Sequence, residues 1–136
     1  MTNNTASKER SRIMRAVKSK DSKIEVKVRS ALWRLGFRFY KNKNDLPGKP
    51  DIAFPKKKLV IFIDSCFWHG CPEHLRRPNS NQEYWNAKIA RNRNRDFEVN
   101  AIYQNMGWKL LRVWEHELKK ESFQNCINKI IDFIQR

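Results

Sequence analysis

The chain is poor in acidic residues, in cysteine and in long apolar runs. Its 14 Asp and Glu stand against 29 Lys and Arg, which leaves a formal net charge of +15 over 136 residues. The longest apolar run, residues 59–63, is far too short to span a bilayer. Three cysteines, with no apolar stretch near the N-terminus, argue against a secreted protein built on disulfides. We therefore expect a cytoplasmic protein.

The excess of basic residues indicates a polyanionic partner. Nucleic acid is the usual partner of such a chain. An anionic membrane surface is the competing partner, but the sequence has no lipidation motif and no one-sided basic amphipathic helix. We expect a nucleoid-associated protein that binds DNA and no membrane.

The length predicts one domain, and the hydrophobic periodicity predicts an α/β fold. We expect a basic N-terminal arm over residues 1–20 and a single domain over residues 21–136. The predicted helices are 22–35, 81–106 and 120–135, and the predicted strands are 37–40, 51–54, 59–64 and 108–114. The strand–helix–strand unit over 59–114 implies parallel pairing, hence a central mixed β-sheet flanked by helices.

A possible metal loop follows the third strand. Cys66, Cys71 and His74 lie within nine residues, and a closed structural zinc site needs a fourth ligand. His116 is the preferred fourth ligand, because its strand should leave the sheet at the same edge. Cys126 is the alternative, although it shares a helix face with apolar residues. A redox pair or a chance cluster also stays open, as does His69 in place of His74.

Two acids should meet at the mouth of the hairpin between the second and third strands. A turn centred on Lys57 places Asp51 opposite Ile63, with Asp64 beside it. Such a pair suits Mg²⁺, which in phosphodiester hydrolysis neutralises charge on the phosphate and activates water. Ordinary turn residues are the alternative interpretation.

His69 and Asp96 are candidates for the proton transfer. A neutral imidazole near the scissile phosphate can act as general base, and Asp96 on the inner side of the long helix would orient it. Arg93 or Arg95 is the alternative partner of Asp96. Glu25 is a weaker candidate, because a capping box at the start of the first helix explains it without catalysis.

Aromatic and basic side chains form the candidate DNA-binding set. Phe67 and Trp68 lie inside the metal loop, and Trp85 is near the start of the basic helix. Exposed aromatic rings beside basic residues stack on bases or wedge between them, whereas packing around the zinc is the alternative. The helix also carries Arg91, Arg93 and Arg95, which we assign to DNA binding.

Together these residues resemble the very-short-patch-repair endonuclease family. The resemblance is carried by Asp51, the stretch Cys-Phe-Trp-His-Gly-Cys-Pro-Glu-His at 66–74, Asp96, and Trp-Glu-His at 114–116. It implies a restriction-endonuclease-like (PD-(D/E)xK-related) core and Mg²⁺-dependent nicking 5′ to the mispaired thymine of a T:G mismatch. Such mismatches arise by deamination of 5-methylcytosine. Functional association with a cytosine-5 DNA methyltransferase is implied, mismatch-repair proteins are candidate partners, and we expect a monomer.

The resemblance also implies residue roles. Asp51 and the main-chain carbonyl of Ile63 would bind Mg²⁺, and Glu25 would be a supporting acid. His69 would be the general base, paired with Asp96. The remaining roles are a wedge entering beside the mismatch from the major groove (Phe67, Trp68, Trp85), a minor-groove partner (Met14) and structural Zn²⁺ ligands (Cys66, Cys71, His74, His116).

Two features depart from the broader fold. Its nucleases usually place a lysine two residues after the second acid, where this chain has Cys66. His69 would therefore carry more of the chemistry. The resemblance also implies that the position of Asp64 holds His in some relatives and Asp in others, so Asp64 would bind the metal directly or only tune it. The alternative functions are a sequence- or structure-specific nicking nuclease of the same fold without mismatch preference, and a non-catalytic zinc-stabilised DNA-binding module.

Overall fold

The sheet is assembled from short apolar segments whose two faces alternate. The computed structural model of the chain describes residues 23–66 and 81–136. Within them, the strands are β1 (Tyr40–Lys41), β2 (Ile52–Phe54), β3 (Leu59–Asp64) and β4 (Lys109–Trp114), in the spatial order β1-β2-β3-β4. The first three are antiparallel, whereas β3 and β4 are parallel. The predicted mixed sheet and its parallel pair are confirmed.

Helices cover both faces of the sheet, as predicted. Helix α1 (Lys23–Arg34) and helix α3 (Phe123–Gln135) pack on one face, where their apolar stripes meet side chains of β2, β3 and β4. Helix α2 (Gln82–Met106) covers the other face with Val99 and Tyr103 against Val60 and Phe62. β3 is therefore the buried centre of the sheet.

The hairpin register differs from the prediction by one residue. Residues 55–58 form the turn, with a 3-10 segment at Pro55–Lys57 and Lys58 at a φ of 55°. Because four residues turn the chain, the centre falls between residues 56 and 57, and Ile52 pairs with Ile61. A turn centred on Lys57 was therefore wrong, although the Asp51 side chain still reaches the Ile63 backbone.

Two element boundaries were also misplaced. The first strand was predicted at 37–40, but the Phe37 N–H closes the end of α1 on the Leu32 carbonyl, and pairing with β2 begins only at Tyr40. The last helix begins at Phe123, after a 3-10 turn over Lys120–Ser122. The arm–domain division stays a prediction, because residues 1–22 lie outside the described ranges.

The loop before β2 is held against the second face of the sheet. The Tyr103 hydroxyl donates to the Pro47 carbonyl at 2.5 Å. Gly48 adopts a φ of +74°, and a Cβ there would lie 2.9 Å from Val99 Cγ1. This close approach aligns the chain that leads into Asp51. No helix in the two described segments has both the length and the apolar character that crossing a membrane requires.

Candidate active site and metal-binding residues

Asp51 lies directly before the first residue of β2, at the open end of the β2–β3 hairpin. Its Oδ2 accepts a 2.6 Å hydrogen bond from the Ile63 N–H. Ile63 lies beyond Ile61, the last residue of β3 that pairs with β2. The N–H and C=O of one strand residue point toward the same side of the strand. The Ile63 carbonyl therefore points to the side of β3 on which the Ile63 N–H binds Asp51. The two proposed Mg²⁺ ligands are thus brought together.

The environment of Asp51 disfavours its negative charge. Its pKa is raised from 3.8 to about 7, first by burial and then by the nearby charge of Glu25, with a smaller contribution from Asp64. The hydrogen bond from Ile63 and the charge of Arg29 act in the opposite direction. A bound proton or a bound cation relieves such crowding of acids, and a divalent ion suits a site with these oxygen donors.

Glu25 takes part in this acidic site. It is buried in the first turn of α1, 8% exposed, and its Oε1 lies 3.5 Å from the Arg29 guanidinium. Because it raises the pKa of Asp51, its carboxylate acts on the strand edge and not only on the helix end. Its predicted capping partner, Ser22, lies outside the described residues.

Asp64 and Asp96 are joined by an arginine that sequence reasoning missed. Arg112 Nη1 lies 3.0 and 3.3 Å from the two oxygens of Asp64 and 3.6 Å from Asp96 Oδ1. Arg93 and Arg95 are exposed on α2, and the alternative pairing of Asp96 with one of them stays a prediction. The available signal was a charged residue inside the apolar strand β4, which requires a buried partner.

Cys66 and His116 meet at the carboxyl ends of the two parallel strands. β3 and β4 end at paired residues 64 and 114, and each candidate ligand follows two residues later. The Cys66 Sγ lies 3.4 Å from His116 Nδ1, and Cys66 is buried. Two ligands of one tetrahedral zinc, at ordinary bond lengths, lie about 3.6 Å apart. The described pair therefore fits zinc, although Cys71 and His74 lie outside the described residues.

Cys126 does not join this pair. It lies in the core beneath α3 with Ile127 and Ile130, and burial raises the pKa of its thiol to about 11. A protonated thiol in an apolar core is a poor metal ligand. The prediction that Cys126 is a small buried apolar residue is confirmed. Residues 23–66 and 81–136 contain no group of three or more potential metal-ligating side chains.

Glu115 supports the loop that begins at Cys66. Its Oε1 accepts a 2.9 Å hydrogen bond from the Cys66 N–H, across the parallel pair. The 3-10 segment Glu115–Leu118 is itself fixed, since Glu117 accepts from the Trp114 N–H at 2.8 Å. These two carboxylates fix the backbone at Cys66 and at Trp114.

The long helix presents basic and aromatic side chains to solvent. Arg91, Arg93 and Arg95 are exposed, as phosphate contacts require. Trp85 is half-buried and stacks edge-to-face on the exposed Tyr84, with ring centroids 5.0 Å apart. The other predicted site residues lie outside the described ranges: Met14, Phe67, Trp68, His69, Cys71 and His74.

Comparison with known proteins places these residues in a family. The family model described as "DNA mismatch endonuclease Vsr" matches residues 2–74. Similar relatives include the type II nicking enzyme V.NaeI of Lentzea aerocolonigenes, 43% identical over 90% of this chain and 75% of that protein. The type II nicking enzyme V.NmeAIP of Neisseria meningitidis is 38% identical over 96% and 95%, respectively. The DNA mismatch endonuclease Vsr of Escherichia coli is 37% identical over 81% and 71%.

Proposed function

Since this chain belongs to the Vsr family of DNA endonucleases, we propose that it nicks one strand of duplex DNA 5′ to the mispaired thymine of a T:G mismatch. Nicking at a mismatch left by deamination of 5-methylcytosine would begin very short patch repair. The observation that carries the proposal is the acidic site at the mouth of the β2–β3 hairpin, where Asp51, Glu25 and the Ile63 backbone converge.

Asp51 and the Ile63 main-chain carbonyl are the residues that would hold Mg²⁺. Both offer hard oxygen donors, and the acids around them favour a cation. The ion would supply electrostatic neutralisation of the scissile phosphate. We assign Glu25 as the supporting acid, whose charge helps to retain the cation beside Asp51.

The proton transfer is assigned to His69 and Asp96. His69 would accept a proton from the attacking water, and Asp96 would hold the imidazole in the required tautomer. Support comes from the placement of Asp96, which shares Arg112 with Asp64 at the end of β3. The protein needs this base, because Cys66 stands where the broader fold uses a lysine.

Cys66, Cys71, His74 and His116 would hold a structural Zn²⁺. The 3.4 Å separation of Cys66 and His116 supports this proposal. Zinc would close the loop that carries Phe67, Trp68 and His69. It would thereby hold the general base His69 and the two aromatic rings in fixed positions relative to each other. We accordingly propose a restriction-endonuclease-like (PD-(D/E)xK-related) core with a zinc clamp.

DNA would lie across the basic face of α2. Arg91, Arg93 and Arg95 would bind phosphates, while Phe67, Trp68 and Trp85 would enter from the major groove and Met14 from the minor groove. The partners we propose are T:G duplex DNA, a functionally associated cytosine-5 methyltransferase and, as candidates, mismatch-repair proteins. We propose a monomer acting in the cytoplasm at the nucleoid.

Nicking assays on matched and mismatched duplexes test the function. Strand-labelled duplexes carrying T:G, T:A or C:G at one position are incubated with the protein and Mg²⁺, and parallel reactions contain a chelator. We expect a nick only in the T strand of the T:G duplex, and only with Mg²⁺. Equal cutting of all duplexes would instead indicate a nicking nuclease without mismatch preference. Binding without cutting would indicate a zinc-stabilised DNA-binding module.

A further inference from the structure

Arg112 is a largely buried cation, 17% exposed, to which the proposed chemistry assigns no role. Its Nη1 bridges both oxygens of Asp64 and approaches Asp96, and its Nε donates to Asn100 Oδ1 at 2.8 Å. The guanidinium carbon lies 4.4 Å from the centre of the Phe62 ring. One side chain of β4 is therefore tied to β3 through Asp64 and Phe62, and to α2 through Asp96 and Asn100.

These contacts define what Asp64 does. It is only 5% exposed, and both of its oxygens lie against Arg112. If Asp64 turned to a metal ion, the pair would open and the guanidinium would lose its nearest carboxylate inside the protein, which is strongly unfavourable. Asp51, in contrast, faces the sheet edge beside Ile63. The two acids of the hairpin mouth thus have separate partners.

The same guanidinium fixes the long helix. Asp96 and Asn100 are one helical turn apart, so they share a face of α2. Because Arg112 contacts both, it links this face of α2 to the end of β3. A carboxylate placed by a rigid planar cation is held more closely than one placed by apolar contacts alone.

We propose that Arg112 is a positioning residue for the nicking reaction: it holds Asp64 as an ion-pair partner, away from the metal, and fixes Asp96 beside the end of β3. The inference rests on the proposed nicking function and deepens it. It assigns Asp64 to support of the site instead of metal binding.

Single-turnover nicking of the T:G duplex tests the proposal, with Mg²⁺ and protein each varied. The variants are Asp64→Asn, Arg112→Met, the double variant and Arg112→Lys. For Asp64→Asn we expect the half-saturating Mg²⁺ concentration, measured by nicking and by calorimetric Mg²⁺ binding to the protein, to rise by clearly less than about ten-fold. Asp64 would act on the ion only through its charge, which Arg112 offsets. For Arg112→Met we expect the rate constant at saturation to fall at least about ten-fold, with half-saturating protein nearly unchanged.

The double variant separates pairing from independent roles. The double variant also removes the buried Asp64 charge that Arg112→Met leaves without its arginine, although Asp96 still loses Arg112, so the double variant should nick faster than Arg112→Met. Arg112→Lys should restore part of the rate, since it keeps the charge but loses the planar fork. Arg136→Met and Asp132→Asn remove a matched but exposed arginine–aspartate pair at the C-terminal end of α3, and neither should change the rate.

Three results would overturn the proposal. A rise of about ten-fold or more in half-saturating Mg²⁺ for Asp64→Asn would make Asp64 a ligand. If the double variant lost as much rate as the two single variants combined, Asp64 and Arg112 would not act as a pair. For Arg112→Met, a lower fraction of DNA nicked at an unchanged rate constant would indicate only partial unfolding.

A failure of the proposed mismatch specificity can be distinguished from a failure of the role proposed for Arg112. A wild-type protein that leaves T:G duplexes intact but nicks supercoiled plasmid would overturn mismatch specificity, and the same variants on plasmid would still decide the role of Arg112. A wild-type protein that nicks neither substrate would overturn both proposals.

Discussion

Replacing Gly48 with alanine should destabilise the protein through a steric conflict in the loop that leads into Asp51. The new Cβ would lie 2.9 Å from Val99 Cγ1 and 3.2 Å from Phe62 Cζ. Val99 belongs to α2, where a β-branched side chain has one strongly preferred rotamer and cannot swing aside. The loop must therefore move away from the sheet.

The expected magnitude has two parts. An L-residue at a φ of +74° is unfavourable by about 1–2 kcal/mol, and overpacking adds about 1–3 kcal/mol. The free energy of unfolding should therefore fall by roughly 2–5 kcal/mol, a large fraction of the 5–15 kcal/mol typical of a domain. Gly107 isolates the first part, because its φ is +76° and a Cβ there would meet nothing within 4 Å.

Urea unfolding followed by tryptophan fluorescence measures the difference. We expect Gly48→Ala to lower the free energy of unfolding by about 1–3 kcal/mol more than Gly107→Ala does, because backbone strain is common to both. Equal losses in the two variants would refute the reasoning, since they would mean that the loop yields to the extra methyl group without resistance.

Four further predictions concern the site. Asp51→Asn should lower the nicking rate by about 10²-fold or more without weakening DNA binding, and a rate within ten-fold of wild type would deny it a ligand role. His116→Ala should lose zinc, measured by metal analysis, and unfold at lower temperature, whereas Cys126→Ala should keep its zinc; full zinc in His116→Ala would contradict the ligand assignment. Trp68→Ala should reduce preference for T:G over T:A DNA more than it reduces affinity for matched DNA, and equal losses would make it a packing residue. Affinity for DNA should fall steeply as salt rises from about 50 to 200 mM, and a flat response would argue against multiple phosphate contacts.

Local sequence signals were sufficient for the longest elements. β3 was predicted at its observed bounds, Leu59–Asp64, because a continuous apolar run is ended by an acid. α2 ends at Met106, as Gly107 predicted, with the glycine in the left-handed conformation. β1 was misplaced because backbone bonding at the end of α1 overrides the alternation of Phe37 and Phe39. The hairpin register depends on the number of residues that form the turn, and the spacing of apolar residues in the sequence does not specify that number.

The site residues divide in the same way. The pairing of Cys66 with His116 could be predicted, because parallel strands end at one edge and each ligand follows its strand by two residues. The approach of Asp51 to Ile63 followed from the hairpin. The electrostatic effect of Glu25 on Asp51 could not be predicted from helix signals, since the start of a helix gives no information about which strand it faces.

By itself the sequence determined the basic character of the chain, the mixed sheet and the residue types of the site. These depend on composition and on periodicities of a few residues, which are local properties. Only the tertiary structure decided that Arg112 would lie between Asp64 and Asp96, 48 and 16 residues away in the chain. A buried charge demands a partner, but which carboxylate meets it depends on how α2 packs across β3 and β4. Local sequence patterns determine which charged groups are present, and tertiary packing determines which of them come into contact.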